Sequence, residues 1–137
     1  MKLDFLITEL GYFFLILNCF VFLFSFNKKN KVQKYFILYL VLCSFVQLFS
    51  SYLHSSGTKN LYLSHYFFTG QFIFLSLFYL KILKFKKIKN LILSVTITIP
   101  TCFIIYFYSN EQAYKEWNEI EIALTSIPLL IYSFYFF

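Results

Sequence analysis

The stretch Leu61-Tyr-Leu-Ser-His65-Tyr-Phe-Phe-Thr69-Gly-Gln71-Phe-Ile-Phe-Leu-Ser76-Leu-Phe-Tyr-Leu-Lys81-Ile-Leu83 decides what kind of protein this chain makes. Its apolar residues run on without the alternation of a half-buried strand, over about twice the length of a membrane barrel strand. About 20 such residues suffice for an α-helix to cross a hydrocarbon core. Three more full runs surround it, Phe5 to Phe26, Tyr35 to Leu53 and Leu91 to Tyr108, and a shorter one closes the chain, Ile122 to Phe137. The sequence therefore predicts an all-α membrane protein: a polytopic transmembrane helical bundle of about five spans, four full and one short, forming a single domain over residues 1–137. The first run is too long, and lacks the small-residue cleavage site, to be a removable signal.

Composition agrees. The chain is 60% hydrophobic and 25% aromatic, with 21 Phe and 12 Tyr, against 13% charged residues. Soluble domains carry about 25% charge, so this chain lacks the polar residues to cover a water-facing globule. Soluble enzymes and disordered tails are excluded. The loops have no room for a catalytic domain, and HExxH, GxSxG and CxxC arrays are missing from the sequence. An intramembrane enzyme needs a nucleophile in register with a base, or paired carboxylates, and neither pattern is present. The expectation is a protein that is not an enzyme and uses no cofactor. Cys19, Cys43 and Cys102 each sit inside an apolar run, as small packing residues do. His54 and His65, eleven residues apart without a third ligand, make no metal site.

Charge placement sets the orientation. All 12 basic residues are lysines, and the formal net charge is +6. Without arginine the chain lacks the bidentate contacts of specific nucleic-acid readers, so no nucleic-acid partner is expected. Nine lysines cluster in the first and third loops: Lys28, Lys29, Lys31 and Lys34, then Lys81, Lys84, Lys86, Lys87 and Lys89. Lysine-rich short loops stay in the cytoplasm. The expected placement is a multi-pass protein of the cell membrane with its N-terminus outside and its C-terminus cytoplasmic. The fourth loop, Asn110 to Glu121, carries Glu111, Glu116, Glu119 and Glu121, with Ser109 and Gln112 at capping-box spacing and Trp117 suited to the headgroup layer. The fifth run, at 16 residues and about 1.5 Å each, covers roughly 24 Å of a core about 30 Å thick. It ends without a polar flank, as the front part of a longer protein would.

Polar groups inside the spans are the candidate functional residues, because a charge at mid-bilayer costs about 2.5–3.5 kcal/mol on insertion scales. Ser44, Gln47, Ser51 and His54 recur at three- and four-residue steps on one face of the second span. His65, Thr69 and Ser76 form a second stripe on the third. Gly11, Asn18 and Ser25 repeat every seven residues on the first, a spacing that sets small or amide residues against a neighbouring helix. The short second loop makes the second and third spans neighbours and sets His54 and His65 at similar depth. A polar cluster of Glu9, Gln47, His54, His65, Thr69 and Gln71 is the candidate site. Two roles fit it: a proton or cation site, or interhelical hydrogen bonding worth about 0.6 kcal/mol per contact. Pro100 and Pro128 free the carbonyls of Thr96 and Leu124, so a kink is expected in the fourth and fifth spans.

The segment Asn60-Leu-Tyr-Leu-Ser-His65-Tyr-Phe-Phe-Thr69-Gly-Gln71-Phe72, continuing through Ser76 and Tyr79 to Lys81, resembles a group of uncharacterised bacterial integral membrane proteins with seven spans and an outside N-terminus. In that group a short outer loop leads into a span reading Asn-Leu, then His, then Thr, then Glu-Phe. The resemblance covers about a quarter of the chain. It implies that His65 matches the family histidine, that Gln71 stands where the family tends to have Glu, and that two further spans follow Phe137. It implies no activity.

Three functional classes follow as expectations. The first is a non-catalytic membrane-embedded sensing or interaction module, the second a small cation or proton transporter using His54 and His65, and the third an assembly subunit of a larger membrane complex. The partners expected are the lipid bilayer and a membrane protein or second copy of the chain.

Overall fold

A computed structural model describes residues 2–24, 26 and 30–136, with side chains from Leu10 onward. Every regular element among the described residues is a helix: α1 (Lys2–Phe24), α2 (Lys31–Ser55), α3 (Tyr62–Ile82), α4 (Lys86–Ser109), the single turn α5 (Glu111–Tyr114) and α6 (Glu119–Phe136). The four helices α2, α3, α4 and α6 are long and apolar enough to cross a membrane, and α1 adds a shorter apolar stretch, Leu10–Phe24. This is the helical membrane bundle that the apolar runs imply.

Helices α1, α2, α4 and α6 start before their apolar runs, at charged residues, whereas α3 is one residue shorter than its run at each end. Helix α2 starts at Lys31 because Asn30 caps it: the Asn30 side chain accepts from the Gln33 N–H while the Gln33 side chain accepts from the Asn30 N–H. This reciprocal pair satisfies two N–H groups that a helix start would leave free. Lys31 and Lys34 thus belong to the helix, and Lys86, Lys87 and Lys89 likewise form the first turn of α4. Long lysine stems let the ammonium reach water from inside a helix end, so excluding them from the spans set the boundaries too short. Around the fourth loop the cap is Asn110, not Ser109. Ser109 closes α4, and the Asn110 side chain accepts from the Ala113 N–H to start α5. Helix α6 begins at Glu119, so Glu119 and Glu121 are helical rather than part of the fourth loop. Its 18 residues reach about 27 Å at 1.5 Å per residue. Both α4 and α6 run continuously through Pro100 and Pro128.

Helix α3 is the centre of the bundle and packs against α2, α6 and α4, while α1 lies against α2. Gly70 lets α2 come close: a Cβ there would stand 2.6 Å from a methyl of Leu42. The opposite side of α3 faces α6 and α4. Phe72, Leu83, Ile92, Leu129 and Tyr132 form the buried core there, in the half of the bundle toward the lysine loop. Outside it the surface is greasy. Phe13, Phe14, Phe24, Phe45, Ile104 and Phe134 are all more than half exposed, the reverse of a soluble protein and the norm for a face bathed in acyl chains. The three cysteines are free thiols; Cys19 is buried, but Cys102 faces outward and is not a packing residue.

Candidate functional site

In the interior, α6 meets α3 through a pair of ionisable side chains. Glu121 is 1% exposed and His65 4% exposed. Nδ1 of His65 contacts Oε2 of Glu121 directly, and Thr69 donates its hydroxyl to the other carboxylate oxygen at 3.1 Å. The second ring nitrogen, Nε2, lies 3.1 Å from the main-chain carbonyl of Tyr114 on α5. One imidazole therefore joins three elements. The ring is held in plane by aromatic neighbours, with Phe107 of α4 at 4.4 Å and Tyr114 stacked at 5.6 Å between centroids.

The local sequence explains why the pair forms. His65 and Thr69 are one turn apart on α3, so both reach the same carboxylate. Asn118 accepts from the Glu121 N–H and fixes the first turn of α6, with Glu121 facing α3. Thr125, one turn on, returns its hydroxyl to the Glu121 carbonyl and so needs nothing from lipid.

Proton counting constrains the chemistry. The Tyr114 carbonyl only accepts, so Nε2 carries a hydrogen. An unprotonated Nδ1 would then aim its lone pair at a carboxylate, so a second proton lies between Nδ1 and Oε2. The site holds two protons and no net charge, whether written as imidazolium with carboxylate or as imidazole with carboxylic acid. Removing one leaves a buried negative charge and breaks a contact between α3 and α6 or α5.

Beside the pair, between α3 and α4, lies a cavity of about 390 Å³ lined by His65, Thr69, Gly70, Pro100, Phe103 and Phe107 among others. Pro100 is buried on its wall. Across the mouth, Tyr114 donates its hydroxyl to that of Tyr66 at 2.9 Å. The Tyr114 hydroxyl is pushed up to about 12, first by burial and then by its hydrogen bond to, and repulsion from, Tyr66. A folded-state value above the usual 10 means the contact stabilises the fold below pH 10 and is progressively lost between about pH 10 and 12, as the unfolded chain ionises first. Tyrosinate absorbance and unfolding followed together should show stability falling across that window in the parent, and a shallower fall in Tyr114→Phe.

Of the residues singled out in the sequence, His65 and Thr69 converge on one site. The others do not join them. Gln47 lines a separate cavity of about 350 Å³ with Ser50, Asn60 and Trp117, where Asn60 donates to the Ser50 hydroxyl at 2.6 Å. His54 is exposed at the end of α2, beside Lys59, Lys115 and Glu116. Gln71 is half-buried on α3, one residue round from Gly70. The Glu9 side chain lies outside the described residues. The polar residues of α2 also stay on their own helix: Ser44 donates to the Leu40 carbonyl. Asn18 and Gly11 are exposed on α1, and Ser25 lies outside the described residues. Among the described residues no group of three or more His, Cys, Asp or Glu could hold a metal ion.

Glu121 and Tyr114 are what the sequence reading missed. The signal for Glu121 is a repeat of spacing: His65, Thr69 and Ser76 on α3 follow the same steps as Glu121, Thr125 and Tyr132 on α6. No protein family, no curated protein and no solved structure matches the chain.

Proposed function

We propose that this chain is a non-catalytic membrane-embedded sensing module whose sensing element is the His65–Glu121 pair, read from the outer side of the cell membrane. The observation that carries the reading is that one buried imidazole bonds α6 through Glu121 and α5 through the Tyr114 carbonyl, so its proton inventory sets how firmly both are held on α3. Breaking either bond loosens α5 or the start of α6, and remaking it re-docks them. The placement of this end outside rests on the lysines at the opposite end of the bundle. What supports sensing over transport is the layer below the pair. Phe72, fully buried, and Leu129 fill the seam without a polar atom on their side chains, so a proton reaching His65 has no onward acceptor at that level.

Trp117, the single tryptophan, packs edge-to-face on Phe68 of α3 at 5.8 Å and reports the position of this segment. In vesicles of a Tyr114→Phe background, raising the outside pH should shift Trp117 emission reversibly, and adding His65→Gln should abolish the shift. Emission that ignores pH, or that responds equally with Gln at position 65, would end the sensing reading.

A further inference from the structure

The polar pairing between α3 and α6 does not stop at His65. The two helices start at the same end of the bundle and run parallel, and His65 meets a residue 56 positions later. The same offset carries Thr69 to Thr125 and Ser76 to Tyr132. On α3, His65 and Ser76 lie within about 20° of each other at 100° per residue, and Glu121 and Tyr132 share the same spacing on α6. A contact further along keeps the two helices paired at depth, three residues off that offset: the Tyr132 ring packs on Tyr79 at 6.0 Å and belongs to the core with Phe72, and Ser76 lies between Phe72 and Tyr79, one turn from each on the same face.

Ser76 is fully buried and Tyr132 is 3% exposed, yet among the described residues neither Ser76 Oγ nor Tyr132 Oη has a hydrogen-bond partner. Lipid cannot supply one, and leaving two hydroxyls unpaired in so apolar a setting is costly. They differ in this from Thr96, Thr101, Thr125 and Ser133, whose hydroxyls each return to a carbonyl of their own helix. Two hydroxyls offer two donors and four lone pairs, the set that one buried water molecule uses when it bridges facing groups.

We propose that Ser76 and Tyr132 form a water-binding station in the lysine-side half of the α3–α6 seam, one water molecule bridging the two hydroxyls. It is about 16 Å along the helices from the His65–Glu121 pair, at 1.5 Å per residue, and separated from it by the Phe72 and Leu129 layer. The station does not depend on the sensing role of the outer pair.

The test turns on sign. A hydroxyl with no partner is a liability, so removing it stabilises the protein; a bridged hydroxyl is an asset, so removing it destabilises. Ser76→Ala and Tyr132→Phe delete one oxygen each and keep the packing. Unfolding of the full chain in bilayer-like micelles should show each variant raising the unfolded-to-folded ratio about fivefold. The double variant should do no worse than the poorer single, because one water cannot be lost twice. Overturning results are an unchanged or lowered ratio in either single variant, or a double variant in which the two losses multiply, the mark of hydroxyls with independent partners.

Discussion

Replacing His65 by leucine is expected to cost about 3–5 kcal/mol, because it strands the Glu121 carboxylate in the interior with only Thr69 to solvate it. Pairing His65→Leu with Glu121→Leu should recover most of the loss, since an apolar pair of similar volume avoids desolvating either ion and often matches or exceeds the original stability. The pattern to look for in reversible unfolding is a single variant far below the parent and a double variant near it. A double variant as weak as the single would mean that the ring's contacts with Phe107 and the Tyr114 carbonyl, rather than its partnership with Glu121, hold this end together. The double variant also separates stability from sensing, for it should fold while its Trp117 emission no longer follows outside pH.

The second large effect is expected at Phe72. It is completely buried and stands between two polar levels of the same seam. Truncation to alanine removes a ring from a close-packed core and should cost about 3–5 kcal/mol. It also opens space between the His65 and Ser76 levels where polar groups lie above and below, and such space admits water. Proteoliposomes carrying Phe72→Ala should therefore collapse an imposed pH gradient faster than the parent. Phe45→Ala, which trims a ring that is 62% exposed on the lipid-facing side of α2, serves as the control and should do neither. A tight Phe72→Ala liposome with a folded protein would show that the layer is not what keeps the two levels apart.

How far the sequence speaks can be judged from these same residues. The spans are legible because length and greasiness are local properties, and each long apolar run forms the body of one helix, with only a residue or two at an end left outside it. The ends are less so. Lys31 and Lys86 look like loop residues by charge, yet capping at Asn30 and the reach of lysine stems bring them into helices. The site is half legible. His65 and Thr69 stand out as polar residues on one stripe, but the choice of partner came from loop length, which makes α2 the neighbour of α3. Adjacency in sequence says nothing about which face is turned. Gly70, about 140° round the helix from His65 at 100° per residue, is the side that α2 takes, so the polar stripe looks away toward α6. Glu121 escaped because a carboxylate beside Asn118 and Glu119 reads as loop. Its tolerance inside the bilayer depends on a histidine 56 residues earlier.

That separation also imposes a timetable on the making of the protein. At about 5–20 residues per second, a ribosome needs roughly 3 to 11 s to add the residues between the imidazole and its carboxylate. Throughout that interval the third span has emerged with its polar stripe unanswered. The nascent segment must linger against the insertion machinery, or hold its histidine at the lipid surface, until α6 arrives to seal it.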